Sequence, residues 1–125
     1  MASEKLTILV VEDDAEMNEL QRELLSLHEM DSIAAYSGVE ALELAKEHKP
    51  DAVMLDVMLP EMDGFETCQH LRAQQGDRKM PIVMLTALDT EDCRARGFEC
   101  GADAYFIKPF DPDEVISTIQ VLIAE

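Results

Sequence analysis

Four polar signals in this chain each follow or end a short apolar run. Asp56 ends the run AVMLD, the acidic stretch 12–14 (EDD) follows TILVV, Thr86 ends PIVMLT, and Lys108 follows DAYFI. A carboxylate is a competent nucleophile toward phosphorus, and phosphoryl transfer needs mainly positioning and charge neutralisation from its surroundings. A hydroxyl and an ammonium can both contact phosphoryl oxygens. These residue types therefore indicate a site that collects a phosphoryl group on Asp56.

Apolar runs of strand length alternate with stretches of helical period along the chain. The candidate strands cover residues 7–11, 32–36, 52–56, 81–86 and 103–107, and several are apolar at consecutive positions. Such runs are typical of parallel strands whose two faces are both covered by helices. The pattern predicts an α/β fold: one flavodoxin-like doubly wound domain over residues 1–125, with a five-stranded parallel sheet in the order 2-1-3-4-5 flanked by five helices.

Four helices show an apolar stripe at steps of three and four residues, and each is expected to pack that stripe on the sheet. The stripes are Met17, Leu20, Leu24 and Leu27; Val39, Leu42 and Ala45; Phe65, Cys68 and Leu71; and Val115, Ile119 and Leu122. The stretch 90–100 is the weakest helix, because Gly97 and two arginines interrupt its apolar stripe. We expect it to be the least firmly packed element.

The predicted topology gives the polar residues a common location. In open α/β sheets, ligands bind beyond the carboxyl ends of the strands, where neighbouring connections diverge. Here that point lies between the first and third strands, so the acidic stretch 12–14 and Asp56 converge on one crevice. Crowded carboxylates repel each other, and a bound hard cation usually neutralises this repulsion. A site with few carboxylates and several waters suits Mg²⁺.

Composition excludes several classes of partner. The 125 residues contain 27 Asp and Glu against 10 Lys and Arg, which gives a net charge of -17 and opposes direct contact with nucleic acid or an anionic membrane. The three cysteines form no C-x-x-C pair, so we interpret them as core or helix residues. No apolar run approaches the roughly 20 residues of a membrane span, and no signal peptide is evident. A cytoplasmic location is expected.

Four motifs together resemble a known family. VVEDD, LDVMLPEMDG, MLTA and GADAYFIKPF occur in the order and at the strand ends found in the receiver domain of two-component response regulators, and the resemblance covers essentially the full chain. It implies that Asp56 is the phosphoacceptor. It also implies that Asp13, Asp14, Asp56 and the backbone carbonyl of Met58 form a Mg²⁺ site, with Mn²⁺ as a possible substitute. Phosphoryl contacts are then expected from Thr86, Ala87 and Lys108.

The resemblance also implies a conformational switch. Tyr105 lies three residues before Lys108, where receiver domains place an aromatic switch residue, and Thr86 is its expected partner. A phosphoryl group would pull the Thr86 hydroxyl inward and vacate space that the Tyr105 ring then fills. The alternative is an ordinary half-buried aromatic residue with its hydroxyl in water. Pro109 is expected to follow a cis peptide bond, and Pro60 and Gly64 are interpreted as turn formers.

The implied partners are a sensor histidine kinase or a histidine phosphotransfer protein, and a downstream output domain or target protein. The protein is expected to be a phosphoacceptor that assists its own phosphorylation and dephosphorylation, not an enzyme in the ordinary sense. No output domain is recognisable in the chain. The last helix lacks the arginines through which transcription-factor relatives dimerise, so a monomer or a weak phosphorylation-dependent dimer is expected. Output would pass through the face formed by the fourth helix, fifth strand and fifth helix.

Other interpretations remain open at this stage. Asp13 or Asp14 taken alone is more often a helix cap than a metal ligand. A magnesium-dependent phosphatase or phosphotransferase of the haloacid dehalogenase type also forms an aspartyl phosphate, but its D-x-D motif would need an acid where Met58 stands. A flavin or nucleotide carrier would need a Gly-rich or Ser/Thr-rich phosphate loop after the first strand, where the acids would repel phosphate.

Overall fold

The computed structural model describes residues 5–76 and 78–125, in which strands and helices alternate. The strands are β1 (Thr7–Val11), β2 (Asp31–Ala35), β3 (Ala52–Asp56), β4 (Ile82–Thr86) and β5 (Ala104–Ile107). The helices are α1 (Ala15–Leu27), α2 (Gly38–His48), α3 (Gly64–Gln75), α4 (Glu91–Glu99) and α5 (Pro112–Ala124).

All paired strands are parallel, in the order β2-β1-β3-β4-β5, which confirms the predicted topology. The bounds differ from prediction by one residue at some ends: β2 is shifted one residue toward the N-terminus, and β4 and β5 each begin one residue later. Pro81 precedes β4 because proline has no N–H to donate to the ladder. Every residue of the central strands β3 and β4 is buried, as their continuous apolar runs predict.

Alternate residues of the strands supply two separate cores. On one face of the sheet, Leu9, Leu55 and Met84 belong to a cluster that includes buried apolar side chains of α2 and α3. On the other face, a second cluster joins the remaining strand residues to α1 and α5. The sheet is thus covered on both sides, and only its edges can hold a solvent-accessible site.

Two of the four predicted helix stripes are confirmed. Phe65, Cys68 and Leu71 of α3 are buried, as are Val115 and Ile119 of α5, whose Leu122 is partly buried. In α2, Ala41 and Ala45 are buried whereas Val39 is 59% exposed, so the predicted stripe is wrong at its first position. Helix α4 buries Gly97 alone, in agreement with the expectation of weak packing.

The predicted face of α1 is only partly correct: Met17 and Leu24 are partly buried, but the other two stripe residues are not. Leu20 is 50% exposed and Leu27 79% exposed, while Asn18, Gln21 and Leu25 are buried. The reason is a hydrogen-bonding role for Asn18: its Nδ2 donates to the carbonyls of Val10, Glu12 and Ala35 at 3.1–3.2 Å. A buried amide that satisfies strand carbonyls is stable in a core, but an apolar pattern cannot reveal it.

The three cysteines are free thiols, with Cys68 and Cys100 buried and Cys93 partly buried, which fits the predicted core or helix role. Burial raises the pKa of the Cys68 thiol to about 12. None of the helices in the described ranges has the length and apolar character to cross a membrane.

Candidate functional site

The register of the sheet brings Glu12 and Asp56 to the same level. Val11 of β1 pairs with Leu55 of β3, so the next residue of each segment lies at the carboxyl edge of the sheet. The Glu12 and Asp56 residues are only 3% and 7% exposed. Buried carboxylates in one crevice repel each other unless a cation neutralises them.

Lys108 supplies one positive charge between these two acids. Its Nζ donates to Glu12 Oε1 at 2.8 Å and to Asp56 Oδ2 at 3.4 Å. Burial alone would lower the pKa of the Lys108 ammonium, but its hydrogen bond to Glu12 and the charge of Asp56 outweigh burial and raise the pKa. The backbone N–H of Lys108 donates to the Thr86 carbonyl at 2.8 Å, and the Lys108–Pro109 peptide bond is cis.

Three carboxylates at this edge could hold a metal ion. Glu12, Asp13 and Asp56 each offer one oxygen, and these oxygens lie within 4.8 Å of one another. Three carboxylates against the single Lys108 ammonium leave two net negative charges, which a divalent cation would balance. Burial, followed by the hydrogen bond and charge of Glu12, raises the pKa of Asp13. Carboxylate oxygens in this number fit a hard ion such as Mg²⁺ or Mn²⁺.

Asp14 does not join this cluster, contrary to the prediction that made it a metal-site residue. It is the N-cap of α1, and its Oδ1 accepts hydrogen bonds from the backbone N–H groups of Glu16 at 3.0 Å and Met17 at 3.2 Å. Glu12 takes its place in the crevice. The signal for this assignment was present in the sequence, because an Asp directly before a helix is a preferred N-cap.

The loop after β3 surrounds Asp56. The backbone N–H of Met58 donates to Asp56 Oδ1 at 3.1 Å, and the Met58 side chain is 57% exposed. The carbonyl of Met58 as a metal ligand stays a prediction. Pro60 lies exposed in a bend of this loop.

Gly64 is the first residue of α3 and has a role other than the predicted turn former. A Cβ on Gly64 would lie 2.5 Å from the Asp56 carbonyl oxygen and 2.5 Å from Val57 Cα. Its N–H donates to the Val57 carbonyl at 2.8 Å. The absence of a side chain thus lets α3 start directly against the backbone that carries Asp56.

A chain of hydrogen bonds connects Thr86 to Tyr105. Thr86 is fully buried, and its Oγ1 accepts from the Leu88 N–H at 3.2 Å. The Leu88 carbonyl accepts from the Tyr105 hydroxyl at 2.9 Å. Tyr105 is 5% exposed, so the alternative of a half-buried ring with its hydroxyl in water is wrong. Ala87 lies exposed between Thr86 and Leu88.

Comparison with known proteins decides the family. The family described as response regulator receiver domain matches residues 8–120. The chain belongs to this family. The match covers every strand except the first residue of β1, and it includes the site residues from Glu12 to Lys108.

Curated relatives of this receiver domain are longer proteins. It is 43% identical to the response regulator MprA of Mycobacterium sp. (strain KMS) over 93% of this chain and 50% of that protein. It is 38% identical to the DNA-binding dual master transcriptional regulator RpaA of Synechocystis sp., over 93% of this chain and 48% of that protein. The chain therefore spans about half the length of the curated relatives that it matches.

Solved receiver domains have the same architecture. The receiver domain of the Francisella response regulator 1452 superimposes with a TM-score of 0.88 at 30% identity, over 96% of this chain and 98% of that one. The BeF3-activated N-terminal receiver domain of RstA from Klebsiella pneumoniae gives a TM-score of 0.87 at 35% identity, over 95% and 99% of the two chains. The predicted flavodoxin-like fold is thus confirmed.

Within this receiver domain, the residues predicted from sequence fall into two groups. Asp13, Asp56 and Lys108 lie together around Glu12, whereas Asp14 lies outside. Sequence reasoning missed the role of Leu88, whose backbone carbonyl accepts the hydrogen bond from the Tyr105 hydroxyl. No side-chain pattern signals such a role, because any residue at that position carries the same carbonyl.

Proposed function

We propose that this receiver domain is a phosphoryl-accepting switch in a two-component system, with Asp56 as the phosphoacceptor. The observation that carries the proposal is the position of Asp56: buried at the carboxyl edge of the sheet, it is contacted by the Lys108 ammonium at 3.4 Å and grouped with two further acids. A structural Asp needs no such surroundings. A nucleophile that must gain and hold a phosphoryl group does.

In the proposed transfer, an Asp56 carboxylate oxygen attacks the phosphorus of a phosphohistidine on a kinase or phosphotransfer protein. The new O–P bond forms as the P–N bond breaks, and the electron pair of that bond returns to the imidazole nitrogen. Asp56 thereby becomes a mixed anhydride with phosphate. Lys108 lies 3.4 Å from one Asp56 oxygen and neutralises charge on the transferred group.

Mg²⁺ is the proposed cofactor, with Mn²⁺ as a substitute, held by Glu12, Asp13 and Asp56. When bound, the ion supplies charge neutralisation for the carboxylates and the phosphoryl oxygens. Glu12 also accepts from Lys108 and from the Asp14 N–H at 3.2 Å. Those two bonds orient Glu12 within the crevice and connect the metal site to the lysine.

The switch is proposed to run from Thr86 to Tyr105 through Leu88. A phosphoryl oxygen on Asp56 would accept a hydrogen bond from the Thr86 hydroxyl and draw it toward Asp56, away from the Leu88 N–H that now donates to its Oγ1. Movement of this segment changes the position of the Leu88 carbonyl that holds the Tyr105 hydroxyl. The altered surface would lie around α4, β5 and α5 and would be read by an output domain or a target protein.

Signalling, not turnover, fits this site. Met58 stands two residues after Asp56, and its side chain offers no general acid. We therefore propose that the receiver domain is not an enzyme in the ordinary sense, although it assists its own phosphorylation. Relatives such as MprA and RpaA are about twice as long as the match, so the regulated output is proposed to lie in a separate domain or partner.

Intact-mass spectrometry with acetyl phosphate tests this proposal. With Mg²⁺ present, the wild type should gain one phosphoryl group, and Asp56→Asn should gain none. Asp14→Asn serves as a matched control, because an Asn cap preserves α1 while removing an acid next to the site. Equal phosphorylation of wild type and Asp56→Asn would contradict the proposal.

A further inference from the structure

A cavity lies at the edge of the sheet opposite Asp56. Its volume is about 330 Å³, and its lining includes Lys46 and Lys49 at the end of α2 and Arg78 and Met80 before β4. Asp56 and Thr86 end their strands at the carboxyl edge, whereas these residues precede β3 and β4. The basic pocket, as we call the cavity lined by Lys46, Lys49, Arg78 and their neighbours, is therefore distinct from the phosphoacceptor site.

The charge of the basic pocket is opposite to that of the protein. Among the residues that the structure describes, Lys46, Lys49 and Arg78 line it and no carboxylate does, whereas the chain as a whole carries a net charge of -17. Within residues 5–76 and 78–125, none of these three cations has a carboxylate within 4.0 Å. Arg72, Lys79 and Lys108 each have such a partner. Three cations that line one cavity, with no carboxylate of the described residues within 4.0 Å, leave a local field that attracts anions.

Arg78 is held in place independently of any ligand. Its Nη2 donates to the carbonyls of Lys49 at 2.8 Å and Pro50 at 2.6 Å. These bonds join the segment before β3 to the segment before β4 and fix one wall of the pocket. A guanidinium has five N–H donors, so donors remain for a further acceptor.

The remaining lining combines the amide side chains of Gln74 and Gln75 with apolar residues. Ala45, Leu71 and Met80 contribute to it, and all three are buried. A volume of about 330 Å³ lies at the small end of the range for pockets that bind organic ligands. An apolar surface beside a cationic rim favours a ligand with both an apolar part and negative charge over a simple inorganic ion.

We propose that the basic pocket binds a small organic anion, with a ring or aliphatic part against Ala45 and the methylene stems of Lys46 and Lys49, and at least two negative charges against Lys46, Lys49 and Arg78. A nucleoside monophosphate has this chemistry. Since the cations are exposed, each contributes a modest, salt-sensitive attraction. Asp56 and its neighbours take no part in this binding.

Adenosine 5′-monophosphate is the probe, added to ¹⁵N-labelled protein in EDTA so that the carboxylate site holds no metal. Saturable amide shifts are expected around Lys46, Lys49 and Met80 at millimolar nucleotide, without shifts around Asp56. Adenosine lacks the charge, and inorganic phosphate lacks the apolar part. Both are expected to bind more weakly than the nucleotide.

The variant Lys46→Gln/Lys49→Asn removes two cations while Asn accommodates the left-handed backbone of Lys49, whose φ is 49°. It should weaken binding about 2- to 30-fold. Lys5→Gln removes an exposed cation that does not line the pocket, and it should change the affinity little. Absence of saturable shifts, equal binding of adenosine or of inorganic phosphate, or unchanged affinity in the double variant would each overturn the proposal.

Discussion

Replacing Gly97 by Ala should displace the Tyr105 ring from its buried position. Gly97 is the one buried residue of α4. A Cβ on it would lie 2.9 Å from Tyr105 Cδ1 and 3.0 Å from Met84 Sδ. Such separations are shorter than van der Waals contact between these atoms, so the added methyl group and the ring cannot both keep their places.

Three contributions determine how much Gly97→Ala changes the free energy of unfolding and the preference of the Tyr105 ring for its buried position. Overpacking a well-packed site costs about 1–3 kcal/mol. If the ring leaves, the hydrogen bond from its hydroxyl to the Leu88 carbonyl is lost, at about 0.5–1.5 kcal/mol. Ala stabilises a helix by up to about 1 kcal/mol relative to Gly, which offsets part of the change in unfolding free energy. A bias of 1–3 kcal/mol against the buried ring shifts its population about 5- to 150-fold.

Fluorine NMR can follow the ring directly. The chain has two tyrosines and no tryptophan, so 3-fluorotyrosine labelling gives one signal from Tyr36 and one from Tyr105, and Tyr36→Phe assigns them. In Gly97→Ala, the Tyr105 signal should move toward that of free fluorotyrosine and become sensitive to a paramagnetic agent in solvent. Phosphorylation should then change it less than in the wild type.

Two controls make the outcome decisive. Ala95→Gly, at an exposed position of α4, alters helix propensity without touching the ring and should leave the Tyr105 signal in place. In a Tyr105→Ala background, Gly97→Ala should lose most of its overpacking cost. The reasoning is refuted if the Tyr105 signal of Gly97→Ala stays at the wild-type position, because Met84 or the helix would then have yielded.

Three further predictions concern the site itself. Asn18→Leu should destabilise the fold by about 1–3 kcal/mol, because the Glu12 carbonyl loses its hydrogen-bond donor. It should also weaken Mg²⁺ binding, measured by titration. Unchanged Mg²⁺ affinity would show that Asn18 does not position the acids. Met58→Asn and Leu88→Glu should each speed loss of the phosphoryl group, since the native apolar side chains cannot orient water; equal or slower decay in both would contradict this. The pKa of Lys108 is raised above the ordinary value of a lysine, so the stability that its charge contributes is complete below about pH 10.4 and is lost as pH rises through the folded pKa. Denaturant titrations should accordingly find that the difference in unfolding free energy between wild type and Lys108→Gln decreases above about pH 10.4. A difference that stays constant would refute the stabilising role of the Lys108 charge.

The sheet was predictable because its central strands are buried on both faces. Continuous apolar runs of strand length are typical of buried strands of a parallel sheet, such as β3 and β4, and the polar residue that ends each run is then placed at the carboxyl edge. The order of strands was predicted because five βα units with right-handed crossovers commonly adopt the flavodoxin-like order 2-1-3-4-5. Asp56, Thr86 and Lys108 were therefore identifiable as a group without coordinates.

Features that depend on contacts between elements were less accessible. Which two acids of the stretch 12–14 enter the crevice depends on where β1 ends and where α1 is capped. The sequence does not show that Asp14 caps α1 while Glu12 joins the carboxylate group. Asn18 was missed because a polar residue on a buried face interrupts the apolar period on which helix prediction depends. The contact of Gly97 with Tyr105 joins two elements that are adjacent in space, and no local pattern encodes it.

Asp56 as the phosphoacceptor is tested most directly by trapping the modified side chain. Wild-type protein phosphorylated by acetyl phosphate in Mg²⁺ can be reduced with sodium borohydride, which converts an aspartyl phosphate into homoserine, and peptide mass spectrometry then locates the change. Conversion is expected at Asp56 and at no other acid, and it should disappear when EDTA replaces Mg²⁺. Homoserine at Asp13 or Glu-derived alcohol at Glu12, with Asp56 unmodified, would contradict the proposed function.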